Sequence, residues 1–151
     1  MSSGPKTLSV DLQICFALYS ASRSLTARYR ELLEPLGLTY PQYLVLLVLW
    51  ESDPLPVGEI GDRLHLDSGT MSPLVRRLES LGLVERTRAV ADERTVLVHL
   101  TAAGRDLEAH AVGIPDQVCA ATGLTLDDVV ALRDQVSGVA ENVRASTRSA
   151  A

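Results

Sequence analysis

Two cysteines, Cys15 and Cys119, are the residues of this 151-residue chain best suited to redox chemistry. No export signal precedes them, and thiols inside cells are usually kept reduced. A bond between Cys15 and Cys119 would therefore be a redox event and not a permanent structural disulfide. Taken alone, a single cysteine in a helix is more often a packing residue than a reactive thiol.

Metal chemistry is not indicated. The three histidines and two cysteines lack the close spacing of a zinc or iron site. We predict no metal and no cofactor.

A second set of candidate residues has a pattern typical of DNA contact. Ser68, Ser72 and Arg76 recur every four residues and so share one face of a predicted helix, with Thr70 and Arg77 beside them. Small hydroxyl residues at a helix N-terminus let the backbone approach phosphates and base edges. Arginine can bind guanine or phosphate. An ordinary solvated helix face has a similar composition, so this helix alone leaves both interpretations open.

Downstream, Asp92 and Arg94 stand two residues apart at a polar tip between two β-rich segments. In an extended tip both side chains point the same way, so we expect the carboxylate to hold the guanidinium. An oriented arginine on a hairpin suits the minor groove. The alternative is a surface ion pair worth about 0 to 1 kcal/mol. The hairpin favours DNA, and Arg86 and Arg88 on its first strand are further candidate contacts.

The elements that position these residues are mostly helical, because apolar residues recur with helical spacing. Thr39 and Gln42 form a capping-box pattern. Pro73 suits only the first turn of a helix, which favours a start at Gly69 or Thr70 or a kinked entry. We predict helices over residues 9–34, 40–50, 57–64, from 68 to about 81, from 101 to about 114 with Pro115 interrupting, and from 125, with a hairpin of residues 83–88 and 95–100.

A short helix, a tight turn, a second helix and a hairpin make a winged helix-turn-helix. The predicted fold is mainly α with a small β-wing, one domain over 1–151, with the winged motif at 56–100. The first helix has two adjacent apolar stripes, more than docking on one core needs. We therefore assign 9–36 and 101–146 to dimerisation helices.

Composition agrees with a folded protein: 46% of residues are hydrophobic and 22% charged. The net charge of −5 argues against a nucleic-acid partner at first sight. Residues 63–94, however, hold six basic and five acidic residues, a net +1 that leaves −6 for the rest. We expect residues 1–8 to be a loose tail and not a signal peptide, and no apolar window approaches the roughly 18 residues of a membrane span. We expect a cytoplasmic protein without membrane association.

Two groups of motifs point to a family. Asp-Glu-Arg at 92–94, Val-His-Leu-Thr at 98–101 and Gly104 resemble the wing signature of the MarR family. The segments CFALYSAS at 15–22 and LEPLGLTYPQY at 33–43 are similar to the organic hydroperoxide resistance regulators of that family. The resemblance covers most of the chain.

That resemblance implies a homodimeric repressor that binds pseudo-palindromic promoter DNA when reduced and releases it when oxidised. Cys15 would be the peroxide-sensing thiol, with Tyr29 and Tyr40 of the other subunit donating hydrogen bonds to its thiolate. Tyr19 is a further candidate for this network, and Cys119 matches the resolving thiol of two-cysteine members. The signal would be an organic hydroperoxide, and no catalytic turnover is expected.

Two other functions remain open from the sequence. A MarR-type repressor could instead be released by a phenolic or drug-like ligand, with Cys15 as a bystander. A peroxidatic and a resolving cysteine could also make a thiol peroxidase, which the winged-helix pattern disfavours.

Overall fold

The computed structural model describes residues 8–149. Residues 1–7, most of the predicted tail, and residues 150 and 151 lie outside this range. Within it, no single helix is long and apolar enough to cross a membrane; one pair, Ile14–Leu36 with Tyr40–Glu51, passes by length and composition but is bent by 72°. The helices are α1 (Ile14–Leu33), α2 (Tyr40–Glu51), α3 (Val57–Leu64), α4 (Ser68–Ser80), α5 (Ala102–Ala111), α6 (Ile114–Ala121) and α7 (Leu126–Ser149), and the strands are β1 (Leu55–Pro56), β2 (Val84–Arg88) and β3 (Val96–Leu100).

Helix α1 begins five residues later than predicted. Val10–Leu12 form a separate 3-10 turn, and Gln13 is extended with φ −90° and ψ 118°. A turn of three residues is too short to show a period of its own, so the sequence pattern did not separate it from the helix. The end of α1 was predicted correctly: a short 3-10 turn follows it, and Gly37 takes a left-handed φ of +68°. The later start makes Cys15 the second residue of the helix.

The centre of the core is α2. Its predicted capping box is present, because the Thr39 N–H donates to Gln42 Oε1 at 2.9 Å and the Gln42 N–H donates to the Thr39 hydroxyl oxygen at 3.5 Å. Six of its twelve side chains are buried and four more are partly buried, as expected for a helix that is apolar on all sides. The fully buried or nearly buried residues are Gln42, Tyr43, Val45, Leu46, Val48 and Leu49.

The helix-turn-helix consists of α3, with the bounds predicted, and α4. Asp67 caps α4: its Oδ1 accepts the Thr70 N–H at 2.8 Å. Of the two alternatives that Pro73 raised, the start at Gly69 or Thr70 was wrong, because α4 begins at Ser68 and carries Pro73 inside its second turn. The kinked entry stays a prediction. The close approach of the two helices requires Gly61, where a Cβ would lie 2.8 Å from the Leu66 carbonyl oxygen.

The hairpin forms with β2 and β3 antiparallel, Arg86 opposite Val98. A third strand was missed: Leu55 pairs with Val98 and Pro56 with Leu97, giving the order β1-β3-β2. A two-residue strand has too little pattern to detect, and proline is tolerated at a sheet edge. Asp53 fixes this segment by accepting the Leu100 N–H at 3.0 Å.

The contacts of the chain group into two compact units, up to Val112 and from Gly113 onward. In the second unit, Pro115 lies in the first turn of a new helix, α6, instead of interrupting an old one. Thr125 caps α7 as predicted, accepting the Asp128 N–H at 3.2 Å. Helix α7 has no buried residue in the single chain, and its apolar side chains, such as Leu126 at 69% exposure, lie open.

Candidate DNA-binding surface and thiol site

The outward face of α4 carries the predicted DNA contacts. Its inward face is buried through Met71, Leu74, Val75 and Leu78, so the helix periodicity turns the polar residues outward. The exposed predicted residues are Ser68, Thr70, Ser72, Arg76 and Arg77.

Helix and wing meet at a cavity of about 410 Å³. Ser68 and Ser72 line it from α4, while Arg86, Arg94 and Thr95 line it from the hairpin. Residues predicted separately from the helix pattern and from the wing pattern therefore surround one space. A concave surface with hydroxyl and guanidinium groups suits a phosphate backbone.

Two of the predicted wing contacts have partners within the protein. The Arg86 guanidinium forms an ion pair with Glu79 of α4 at 2.7 Å. Arg88 donates to the Glu93 carbonyl oxygen at 2.6 Å. Part of their donor capacity is already used, which sequence reasoning did not detect.

The prediction that the Asp92 carboxylate holds the Arg94 guanidinium was wrong. Asp92 Oδ1 accepts the backbone N–H of Arg94 at 3.0 Å, and Oδ2 accepts the Thr95 hydroxyl at 3.3 Å. A short acidic side chain in a turn prefers the nearby backbone to the end of a long flexible side chain. Among residues 8–149, no ion pair involves Arg94, Arg76 or Arg77, so their charges face solvent.

The helix cap beside this surface is charged. Asp67 is fully exposed, and the hydrogen bond from the Thr70 backbone holds its pKa below the usual value. Its negative charge also lies favourably against the N-terminal end of the α4 dipole.

The two cysteines are free thiols that belong to different compact units. Cys15 is exposed at the N-terminal end of α1, where a helix dipole favours an anion. Cys119 is partly buried on α6. In the described part of the chain, no three His, Cys, Asp or Glu side chains are grouped as a metal site would need.

Tyr29 and Tyr40 lie together, with ring centroids 4.5 Å apart. Tyr43 joins them at 5.8 Å from Tyr29 and 6.5 Å from Tyr40, a member that sequence reasoning missed although it lies one turn after Tyr40 on α2. Burial, followed by the neighbouring Tyr40 and Tyr43, raises the pKa of Tyr29 to about 12. Burial also raises the pKa of Tyr40. Both phenols are therefore neutral at physiological pH and can donate hydrogen bonds.

Tyr19 does not join this cluster. It is 60% exposed, and the Arg23 guanidinium carbon lies 5.5 Å from its ring centroid. Tyr19 and Phe16 line a second, open cavity of about 350 Å³ along α1. Tyr19 and Tyr29 are ten positions apart on one helix, which corresponds to about 15 Å at about 1.5 Å per residue.

Comparison with known proteins identifies the family. Residues 27–110 match the family model described as transcriptional regulator SarA/Rot. The chain is also 40% identical over 136 residues to the organic hydroperoxide resistance transcriptional regulator of Bacillus subtilis, covering 90% of this chain and 92% of that protein. This chain belongs to the SarA/Rot and MarR-type family of winged-helix transcriptional regulators.

Other members of this family support the assignment. The HTH-type transcriptional regulator TtmR of Methylorubrum extorquens is 48% identical over 93% of this chain and 72% of its own length. The structure of reduced AbfR bound to DNA, a protein of Staphylococcus epidermidis, superposes with a TM-score of 0.75 at 31% identity, covering 89% of this chain and 94% of that one. The winged-helix fold and the family resemblance predicted from the sequence are thereby confirmed.

Proposed function

We propose that this MarR-type regulator is a homodimeric repressor that releases promoter DNA when an organic hydroperoxide oxidises Cys15. The observation that carries the proposal is the pair of neutral phenols, Tyr29 and Tyr40, whose ring centroids are 4.5 Å apart. Tyr29 lies on the helix whose first turn holds the exposed Cys15. The 40% identity to the Bacillus subtilis regulator supports the choice of signal.

Sensing requires a second copy of the chain. Cys15 and Tyr29 are 14 residues apart on α1, about four turns, which places them on one face but about 21 Å apart at about 1.5 Å per residue. A phenol cannot reach a thiolate over that distance in one subunit. A two-fold related copy would bring Tyr29 and Tyr40 of one chain to Cys15 of the other. The exposed apolar residues of α1, including Ile14 and Phe16, support such an interface.

The proposed chemistry begins with the Cys15 thiolate, which the N-terminal end of α1 and the phenol donors stabilise. The thiolate attacks the terminal peroxide oxygen, the O–O bond breaks, and the alkoxide leaves as an alcohol after taking up a proton. Cys15 becomes a sulfenic acid. The Cys119 thiol of the other subunit then attacks the Cys15 sulfur, and an intersubunit disulfide forms as water leaves.

Oxidation would act on DNA through the dimer. Two recognition helices must be about one DNA turn apart, roughly 34 Å, to enter successive major grooves. Loss of the phenol contacts at Cys15 would shift the helices of the dimer core and so change this separation. A modest rotation is enough to abolish binding.

The test is fluorescence anisotropy with labelled DNA from upstream of the protein's own gene. Reduced protein should bind, one equivalent of an organic hydroperoxide should release it, and excess dithiol should restore binding. Cys15→Ser should bind DNA and ignore the peroxide; a fully responsive Cys15→Ser protein would show the proposal to be wrong.

Cys119→Ser tests the resolving role separately. This variant should lose the intersubunit disulfide band on a non-reducing gel, and a persistent band would exclude Cys119 as the partner. Sustained peroxide turnover with a dithiol would indicate a thiol peroxidase instead. Release of a Cys15→Ala protein by a phenolic ligand would favour the ligand-controlled repressor.

A further inference from the structure

Glu79, on the last turn of α4, makes three contacts with one residue of the wing. Its Oε2 accepts the Arg86 Nε–H at 2.9 Å and pairs with Nη2 at 2.7 Å. Its Oε1 accepts the backbone N–H of Arg86 at 3.3 Å. Both the main chain and the side chain of Arg86 are therefore held by a single carboxylate.

This contact joins the two DNA-facing elements. Glu79 belongs to α4 and Arg86 to β2, and the connection between them turns at Gly82, which has a φ of +74°. The Gly82 N–H donates to the Glu79 carbonyl oxygen at 2.9 Å, which closes the end of the helix. The turn and the Glu79–Arg86 contact together limit how far the wing can swing relative to α4.

Arg86 differs from the other arginines of α4 and the wing because its charge is paired with a carboxylate, that of Glu79. A carboxylate close to phosphate is unfavourable, yet the hydrogen bonds from Arg86 hold the pKa of Glu79 below its usual value and keep it charged. Arg76, Arg77 and Arg94 form no ion pair within the described residues. Arg86 is thus the arginine of this group whose guanidinium is already satisfied by a carboxylate.

We propose that Glu79 is a specificity-determining positioning residue: it holds Arg86 so that α4 and the wing meet DNA in one fixed arrangement, and Arg86 acts through this pair instead of neutralising a phosphate. The proposal rests on the DNA binding proposed above. Specific binding needs simultaneous contacts from the helix in the major groove and from the wing tip, whereas non-specific binding needs only positive charge. Fixing the wing therefore raises the ratio of the specific to the non-specific DNA affinity.

The direction in which Glu79→Gln changes the specific and the non-specific DNA affinity distinguishes a positioning residue from a repelling charge. Loss of the pair should weaken binding to the specific promoter site by on the order of tenfold, in the range of coupling between contacting residues. Binding to unrelated duplex of equal length should stay the same or strengthen, because a negative charge is lost. Glu85→Gln is the matched control. Glu85 is exposed, directly precedes Arg86 and forms no ion pair among residues 8–149, so its substitution should not weaken either affinity.

The salt dependence tests the role of Arg86. Arg86→Gln should leave the slope of log K against log salt concentration at the wild-type value, since a phosphate contact contributes about 0.9 to that slope. A slope reduced by about 0.9 or more would overturn the proposal. Glu79→Gln should not change the ratio of specific to non-specific affinity further in the Arg86→Gln background, and independent effects of the two substitutions on this ratio would also contradict the proposal.

Two other results for Glu79→Gln would contradict the positioning role. If both affinities rise in Glu79→Gln, the residue acts only as a repelling charge and the positioning role is wrong. If both fall together with the thermal unfolding midpoint, the pair is merely structural, which also overturns it. Wild-type protein that binds no promoter DNA would contradict the proposed function, whereas specific wild-type binding with an unchanged Glu79→Gln ratio would contradict this inference alone.

Discussion

The indole N–H of Trp50 donates a 2.9 Å hydrogen bond to the carbonyl oxygen of Gly104. Trp50 belongs to the central α2 and Gly104 to α5, which directly follows the hairpin. At Gly104 a Cβ would lie 2.1 Å from the Leu83 carbonyl oxygen, so the backbone at the base of the wing packs directly against α5. A side chain at position 104 would therefore clash with the base of the wing.

Gly104→Ala should destabilise the protein by about 1 to 3 kcal/mol, because backbone atoms must move to admit the methyl group. Urea unfolding followed by circular dichroism measures the change. Gly58→Ala is the control, since no heavy atom lies within 4 Å of a Cβ at that position. Equal stability of the two variants would show that the contact between α5 and Leu83 relaxes at no cost.

Tyr29→Phe should slow the oxidation of Cys15 by an organic hydroperoxide about tenfold or more, because a hydrogen bond to a charged group contributes about 1.5 to 3 kcal/mol. The loss of free thiol with time after peroxide addition, in a Cys119→Ser background, measures this rate. Tyr43→Phe keeps the aromatic cluster and removes a hydroxyl that is not proposed to reach Cys15, so its oxidation rate should match that of the protein with both tyrosines. Identical rates for all three proteins would remove Tyr29 from the sensor.

Stability should fall at high pH through Tyr29. Its pKa is raised in the folded state from 10.0 to about 12, so the neutral phenol is favoured by folding. The contribution of Tyr29 to the free energy of unfolding is complete below pH 10. It is lost as the pH rises from 10 through 12, because the phenol then ionises more readily in the unfolded chain. Unfolding midpoints at pH 9, 10 and 11 should decline less steeply in Tyr29→Phe than in the wild type.

Arg94→Gln should weaken promoter binding by about tenfold or more, since a groove contact is worth about 1 to 3 kcal/mol. Anisotropy titrations at several salt concentrations would measure both the affinity and its salt slope. Arg133→Gln removes an exposed charge on α7 that is paired with Asp134 and should change neither. Unchanged binding by Arg94→Gln would place the wing tip away from DNA.

Local rules explain the parts of the fold that were predicted correctly. The Thr39–Gln42 capping box depends only on residues three positions apart, and the bounds of α3 follow from one apolar stripe between breakers. The missing strand shows the limit of such rules: Leu55 pairs with Val98 across 43 positions of sequence, and two residues carry no period.

The site contacts were harder to predict than the site residues. Sequence patterns singled out Arg86 and Asp92, but the partners of their side chains depend on how strands and helices pack. Glu79 meets Arg86 only after the turn at Gly82 brings β2 back along α4. Asp92 accepts the backbone N–H of Arg94 instead of its guanidinium, and residue spacing alone does not distinguish these two donors.

The length of α1 has a consequence for dimers made of two different chains. If Cys15 works only with Tyr29 of the opposite chain, each symmetric dimer contains two sensors and each sensor draws on both chains. A mixed dimer of Cys15→Ser and Tyr29→Phe chains would then combine both defects in one sensor and leave the other intact. Purified mixed dimers would keep one Cys15 that reacts with peroxide at the wild-type rate, whereas no sensor would be intact if each chain carried its own complete sensor.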